Sequence, residues 1–394
     1  MDFLIIGILF LLLFLGLADN QTIPALLPLL IDSLHITVEQ AGLLAVFYSA
    51  AAAVASLVTG IVSDHYGRRP FLVAGALVFG CASWMAAHAG SFMGLTVARG
   101  LTGLGAGTIS TCSIAFAGDW FDYSVRGRAL SWISTAYFAA PILGVPMAAQ
   151  LADRLGWRST FYFYAVLAAA VALFAWRLPR EKREPSPGSD KWKVTFRACR
   201  SFFRRRDTRA GLVIAFLVSG GLYGFIYYIG QWLNASFVVP TRTIGWVFML
   251  GGLVALVSAP LAGILSDRWG KRPVSIVGNI LLALSVALVP FFPWGAGLLV
   301  VFAVTSLGAA VRQGPLAALM TGLVPTSERG SFIALRNVFS QMGIGLVVLA
   351  GGAIYERHGY FAVTTLCAVM TALVAILLAT HIVEPHSASG RPQQ

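Results

Sequence analysis

Gly60-Ile61-Val62-Ser63-Asp64-His65-Tyr66-Gly67-Arg68-Arg69-Pro70 returns 203 residues later as Gly263-Ile264-Leu265-Ser266-Asp267-Arg268-Trp269-Gly270-Lys271-Arg272-Pro273. Two further landmarks repeat at the same offset: Arg126-Gly127 with Arg329-Gly330, and Gly156 with Gly359. Three separated landmarks at one spacing mean that a long unit is duplicated, not that a short motif recurs. Within the motif, Gly60 is expected to let helices approach closely, Gly67 to permit a tight turn, and Asp64 to pair with Arg68 or a helix terminus.

Outward from these loops the chain is a series of apolar segments broken by short polar or Gly/Pro stretches. Twelve are counted, at roughly 3–31, 39–63, 71–89, 91–117, 127–151, 159–178, 210–236, 243–266, 274–293, 295–323, 330–353 and 360–383. Such blocks are long enough to cross a hydrocarbon layer of roughly 30 Å. A backbone in lipid must satisfy its own hydrogen bonds, and no segment alternates like a barrel strand, so each is expected to be helical. Charged residues make up 11% of the chain, against about 25% in soluble domains. The opening block is too long for a signal peptide and reads as a helix that stays. The expected fold is an all-α membrane protein with twelve transmembrane helices. They form two six-helix repeats, related by an axis along the membrane normal, around a central cavity. The expected units are 1–178, a basic linker 179–209, and 210–394 with a short tail.

The net charge of +12 raises the question of nucleic acid, but its distribution answers it. With the N-terminus inside, 21 of the 28 Lys and Arg fall in cytoplasmic loops and tail, twelve of them from Arg177 to Arg209 and one at Arg391. Four fall in outer loops: Arg154, Arg158, Arg242 and Arg357. This bias predicts a multi-pass protein of the inner (plasma) membrane with both termini cytoplasmic. The linker's basic residues, Arg204, Arg205 and Arg206 among them, are expected to rest on anionic headgroups. Cys81, Cys112, Cys199 and Cys367 show no paired spacing for a metal or disulfide.

The duplicated loop resembles the signature G-x-x-x-D-x-x-G-R-[RK] of the major facilitator superfamily, and the resemblance extends over essentially the whole chain. It implies a transporter in which Gly60, Asp64, Gly67, Arg68 and Arg69, with Gly263, Asp267, Gly270, Lys271 and Arg272, latch the halves in one state. Asp119, at the end of the fourth segment, is the expected additional partner. Arg99-Gly100-Leu101-Thr102-Gly103-Leu104-Gly105-Ala106 is similar to the R-x-x-x-G-x-G-A pattern of the drug:proton antiporter branch. Ala140-Pro141-Ile142-Leu143-Gly144-Val145-Pro146 is similar in part to that branch's fifth-helix motif.

Ionisable groups inside a membrane are costly and mark functional candidates. Asp19 is the one deep carboxylate, and Arg99 falls at a comparable depth; Asp19 is the expected proton carrier and Arg99 its stabiliser, with a static ion pair as the alternative. Arg312 has no acid at its depth in its own half and is expected to face cavity water or an anionic substrate. Arg336 is read as snorkelling to the surface. Tyr223, Tyr227, Gln231 and Asn234 share one helical stripe and are the expected substrate face. Asn20, Tyr137, Asn337 and Gln341 complete it.

A mixed aromatic and amide lining suits an amphipathic organic molecule. The sequence therefore points to proton-coupled export of such molecules by alternating access, through helices 1, 4, 7 and 10. The alternative is uptake or exchange of an organic anion held by Arg99 and Arg312, and a receptor is more remote. Expected partners are substrate, protons and lipids, with the chain a monomer. Nothing in the residues calls for a metal, a cofactor or catalysis.

Overall fold

The computed structural model describes residues 2–179, 201–325 and 328–382. Most of the expected linker, Cys199 and Arg391 lie outside the described residues. The first six helices are α1 (Phe3–Leu34), α2 (Val38–Tyr66), α3 (Arg68–Ala87), α4 (Phe92–Trp120), α5 (Ser124–Leu155) and α6 (Trp157–Trp176). The next four are α7 (Arg206–Phe237), α8 (Thr241–Trp269), α9 (Lys271–Leu288) and α10 (Ala296–Gly322). A helical run from Arg329 to His381 is broken at Gly359, where φ is 73°, giving α11 (329–358) and α12 (360–381). The protein is thus an all-α integral membrane protein of twelve spanning helices.

The duplication is visible in the backbone. Gly67 and Gly270, between the second and third helices of each half, have φ of 85° and 94°; Gly156 and Gly359, before each last helix, have 84° and 73°. Those angles are open to glycine and strained for other residues. The left-handed caps His35 and Val238, which end α1 and α7, are again 203 residues apart. Gly60 and Gly263 differ from expectation: a Cβ on Gly60 would meet only Thr111 at 3.6 Å, and one on Gly263 would meet nothing within 4 Å. Close approach is supplied instead by α4. A Cβ on Gly103 or Gly107 would stand 2.3 or 2.4 Å from the Tyr48 or Ala52 carbonyl oxygen of α2.

The signature arginines have distinct tasks. Arg68 bonds Asp64 and Ser63, donates to the Gly60 carbonyl at 3.3 Å, and reaches Asp119 of α4 at 3.4 Å. Arg69 donates to the Trp176 carbonyl, while Arg272 donates to those of Leu378 (3.0 Å) and Ala379. Each therefore caps the last helix of its own half, where unpaired carbonyls favour a cation. In the described end of the linker stretch, Arg205 turns inward to Glu328 (3.7 Å) and the Leu323 carbonyl.

Packing differs between the two ends of the molecule. At the end carrying the signature loops, each half has its own core: Leu9, Leu12, Phe79 and Phe116 in one, Phe202, Leu319, Phe332 and Leu378 in the other. At the opposite end a single core takes Leu26, Leu30 and Phe161 from the first half and Phe225, Trp232 and Phe302 from the second. The halves are fused at one end and separate at the other.

Candidate functional site

A cavity of about 470 Å³ lies between the halves. Its walls run from Ile214, Met320 and Arg336, toward the signature end, to Phe225 and Phe302, which belong to the fused core. It therefore opens toward the signature end. Beyond it the opposite end is closed by contacts between halves. Tyr227 Oη donates to the Ala41 carbonyl at 3.0 Å, the Glu39 amide donates to Glu356 at 3.0 Å, and Arg242 lies 3.8 Å from Asp153. A Cβ on Gly230 would fall 2.1 Å from the Pro24 carbonyl oxygen.

The lining comes from α1, α5, α7, α8, α10 and α11, and α4 supplies none of it. That departs from a wall of helices 1, 4, 7 and 10, because α4 is drawn behind by its glycine contacts with α2 and α3. Of the residues expected to face substrate, Tyr137, Tyr223 and Arg312 line the cavity. Tyr227 is occupied in the closed end, and Asn234 Nδ2 donates to the Val239 carbonyl beyond the end of α7 at 3.1 Å. Gln231, with Oε1 buried and unbonded, is not part of the lining. Asn20 gives way to Gln21, one position round α1. On α11 the lining residues are Arg336 and Ser340, whereas Asn337 and Gln341 are absent from it and Asn337 is exposed. Arg336 thus turns into the cavity.

Asp19 and Arg99 meet. Arg99 Nη1 donates to Asp19 Oδ2 at 2.6 Å, and both residues are 1% exposed. Asp19 Oδ1 and Arg99 Nε have no hydrogen-bond partner among the described residues. The guanidinium lies over the Tyr48 ring, 4.7 Å from its centroid, so an aromatic face takes up charge that the carboxylate does not. The pair stands behind the cavity wall. Asp19 and Gln21 are two residues apart, about 200° round a helix of 3.6 residues per turn, so α1 presents Gln21 to the cavity and Asp19 to the interior of its half.

Helix α5 touches both places. Its course includes a π turn, Ala140–Gly144, in the motif with two prolines. Tyr137, Phe138 and Pro141 line the cavity, while Gly144 presses on α1, where a Cβ would come 2.5 Å from that of Ala18. The helix that lines the cavity therefore also packs on the residue beside Asp19.

Arg312 has a partner that a search for acids passes over. Its Nη1 donates to Asn279 Oδ1 of α9 at 2.9 Å, and its Nη2 to the Val218 carbonyl at 3.1 Å. Asn279, a lone amide in an apolar segment, and Tyr48 were the available signals.

Residues 9–240 and 211–394 match the family profile described as Major Facilitator Superfamily. The chain is 29% identical to the "Probable nitrate/nitrite transporter NarK2" of Mycobacterium tuberculosis, over 85% of each chain. It is 26% identical to the "Chloramphenicol efflux pump Rv0191" of the same organism, over 89% of this chain and 86% of the other. Among solved structures, a D-xylose–proton symporter superposes with a TM-score of 0.77 at 18% identity, covering 97% of this chain and 98% of that one.

Proposed function

The chain belongs to the Major Facilitator Superfamily, and we propose that it exports small amphipathic organic molecules in exchange for protons, by alternating access through the cavity. One observation carries the reading: the buried carboxylate of Asp19 sits on the same helix that lines the cavity, sealed from it. In the structure Arg99 pairs with that carboxylate through Oδ2. When the halves rock and α1 shifts, separation from Arg99 leaves a charge that burial makes costly, and a proton neutralises it. Return of Arg99 expels the proton. Substrate pressing on α5 moves Ala18, which makes the two events conditional on each other. The latch at Arg68, Asp64 and Asp119 sets how readily the signature end closes.

The Lys/Arg bias of the signature loops supports a cytoplasmic position for that end, and on this reading the cavity is open to the cytoplasm, where an exporter loads. A chloramphenicol efflux pump among the relatives is consistent with this direction. The clamp of Arg99 and Arg312 is less favoured, because Arg99 is already held by Asp19 and stands outside the cavity.

The test is transport in proteoliposomes of ligands found by thermal-shift screening, with and without a pH gradient. Asp19→Asn is expected to abolish proton-driven accumulation while leaving downhill exchange. Accumulation against a gradient by Asp19→Asn would place the proton carrier elsewhere.

A further inference from the structure

Resting on the transport reading above, we infer that the cavity selects organic anions: Arg312 and Arg336 hold one carboxylate-type group, and the apolar body of the substrate lies against Tyr137 and Phe138 of the other half. The lining contains these two arginines and, among the described residues, no Asp or Glu. Arg312 is 2% exposed, as buried as Arg99. Arg99 has a carboxylate, whereas Arg312 has an amide oxygen and a backbone carbonyl. Those neutral partners orient the guanidinium without cancelling its charge. An isolated buried cation is costly unless something anionic joins it.

Arg336 is the second half of the site. It donates one long bond, Nη2 to Asn337 Oδ1 at 3.3 Å, and no carboxylate pairs with it among the described residues. A guanidinium offers five N–H donors in a planar fork suited to a carboxylate, and Arg336 lines the cavity with one of them engaged in that bond. Counting along their helices from the signature end at ~1.5 Å per residue, Arg336 stands about 10 Å deep and Arg312 about 15 Å deep. Two cations at successive depths between low-dielectric walls concentrate anions entering from that end.

The rest of the lining decides against a small inorganic ion as the sole fit. Phe138, Phe225, Phe248 and Phe302 line a space of about 470 Å³, the size of a pocket for an organic molecule. The cations come from the second half and Tyr137 from the first. A molecule with an anionic head and an aromatic or alkyl body therefore bridges the halves, as a cargo that triggers closure should. The site was split differently in the sequence, where Arg99 stood in the place that Arg336 occupies.

The probes are aromatic and alkyl monocarboxylates, each paired with its primary amide, titrated into purified full-length protein and followed by thermal shift and calorimetry. Acids should bind and their amides should not. Arg336→Gln should weaken acid binding about tenfold, the loss of one charge-assisted bond, and added salt should weaken it in wild type. Arg312 also ties α10 to α7 and α9, so Arg312→Lys, which keeps the charge and loses the fork, is the second variant; it should weaken acids and leave any amide binding unchanged. Amides binding as well as acids, no acid binding at all, or both variants retaining wild-type affinity would overturn the inference. Proton-driven transport of uncharged ligands would remove the anion selectivity and leave the transport reading standing. Acid binding without proton-driven transport would do the reverse.

Discussion

Arg99 and Arg312 are two buried cations from corresponding helices of a duplicated unit, and they are partnered by different means. Arg99 has Asp19 at 2.6 Å and the face of Tyr48; Arg312 has Asn279 and a carbonyl. The first arrangement pairs opposite charges, as the proposed proton exchange requires, whereas the second leaves the charge of Arg312 uncancelled, as the proposed anion site requires. Removing one member of a buried pair leaves the other uncompensated, at a cost of about 3–5 kcal/mol. Asp19→Asn and Arg99→Gln should therefore each destabilise the purified protein, while the double variant loses much less than the sum. Additive losses in a thermal-unfolding cycle would mean that the pair is not coupled. The cycle also separates a transport defect of Asp19→Asn from simple misfolding. Asp19 and Arg99 could be matched by depth along the sequence. The partners of Arg312 could not, because the rule that a buried charge needs an opposite charge overlooks an amide.

Helices carry the duplication further than the motif does. Arg69 and Arg272 each close the last helix of their half through its terminal carbonyls, at positions 176 and 379, again 203 apart. The acid that joins Arg68 in the first half, Asp119, is replaced at the equivalent place by Gly322. The second arginine of the signature thus has a scaffold role in both halves, whereas the place of Asp119 carries no acid in the second. Arg272→Gln should destabilise the protein by about 1–2 kcal/mol through lost charge-assisted bonds, seen as a lower unfolding temperature in detergent with unchanged ligand affinity. An unaltered unfolding temperature would show that the cap is dispensable. Helix positions and the turns at Gly67 and Gly270 were legible from hydropathy and repeat. The stripe on α7 was legible only as a stripe. Its four residues share a face, but the helix crosses from cavity to closed end, so Tyr223 meets the cavity and Tyr227 meets α2. Depth along a tilted helix is set by its neighbours, which periodicity does not report.

The whole molecule has a fused end and a split end, and that asymmetry makes a cavity open on one side. Two halves of like fold permit the mirror arrangement, with the signature end fused and the opposite end split. The repeat announced the two halves; which end they share depends on inter-half contacts such as Gly230 on Pro24, beyond the reach of one sequence. The measurement that tests alternating access most directly is a pair of spin-label distances in proteoliposomes. One pair joins Tyr66 and Trp269 at the signature end, and the other joins Ser33 and Ser236 at the opposite end; all four residues are exposed, and each pair is related by the repeat. Two populations are predicted at each end, moving in opposition: substrate and an imposed pH gradient shorten the first distance as the second lengthens. Single, unchanging distances at both ends under every condition would contradict the account.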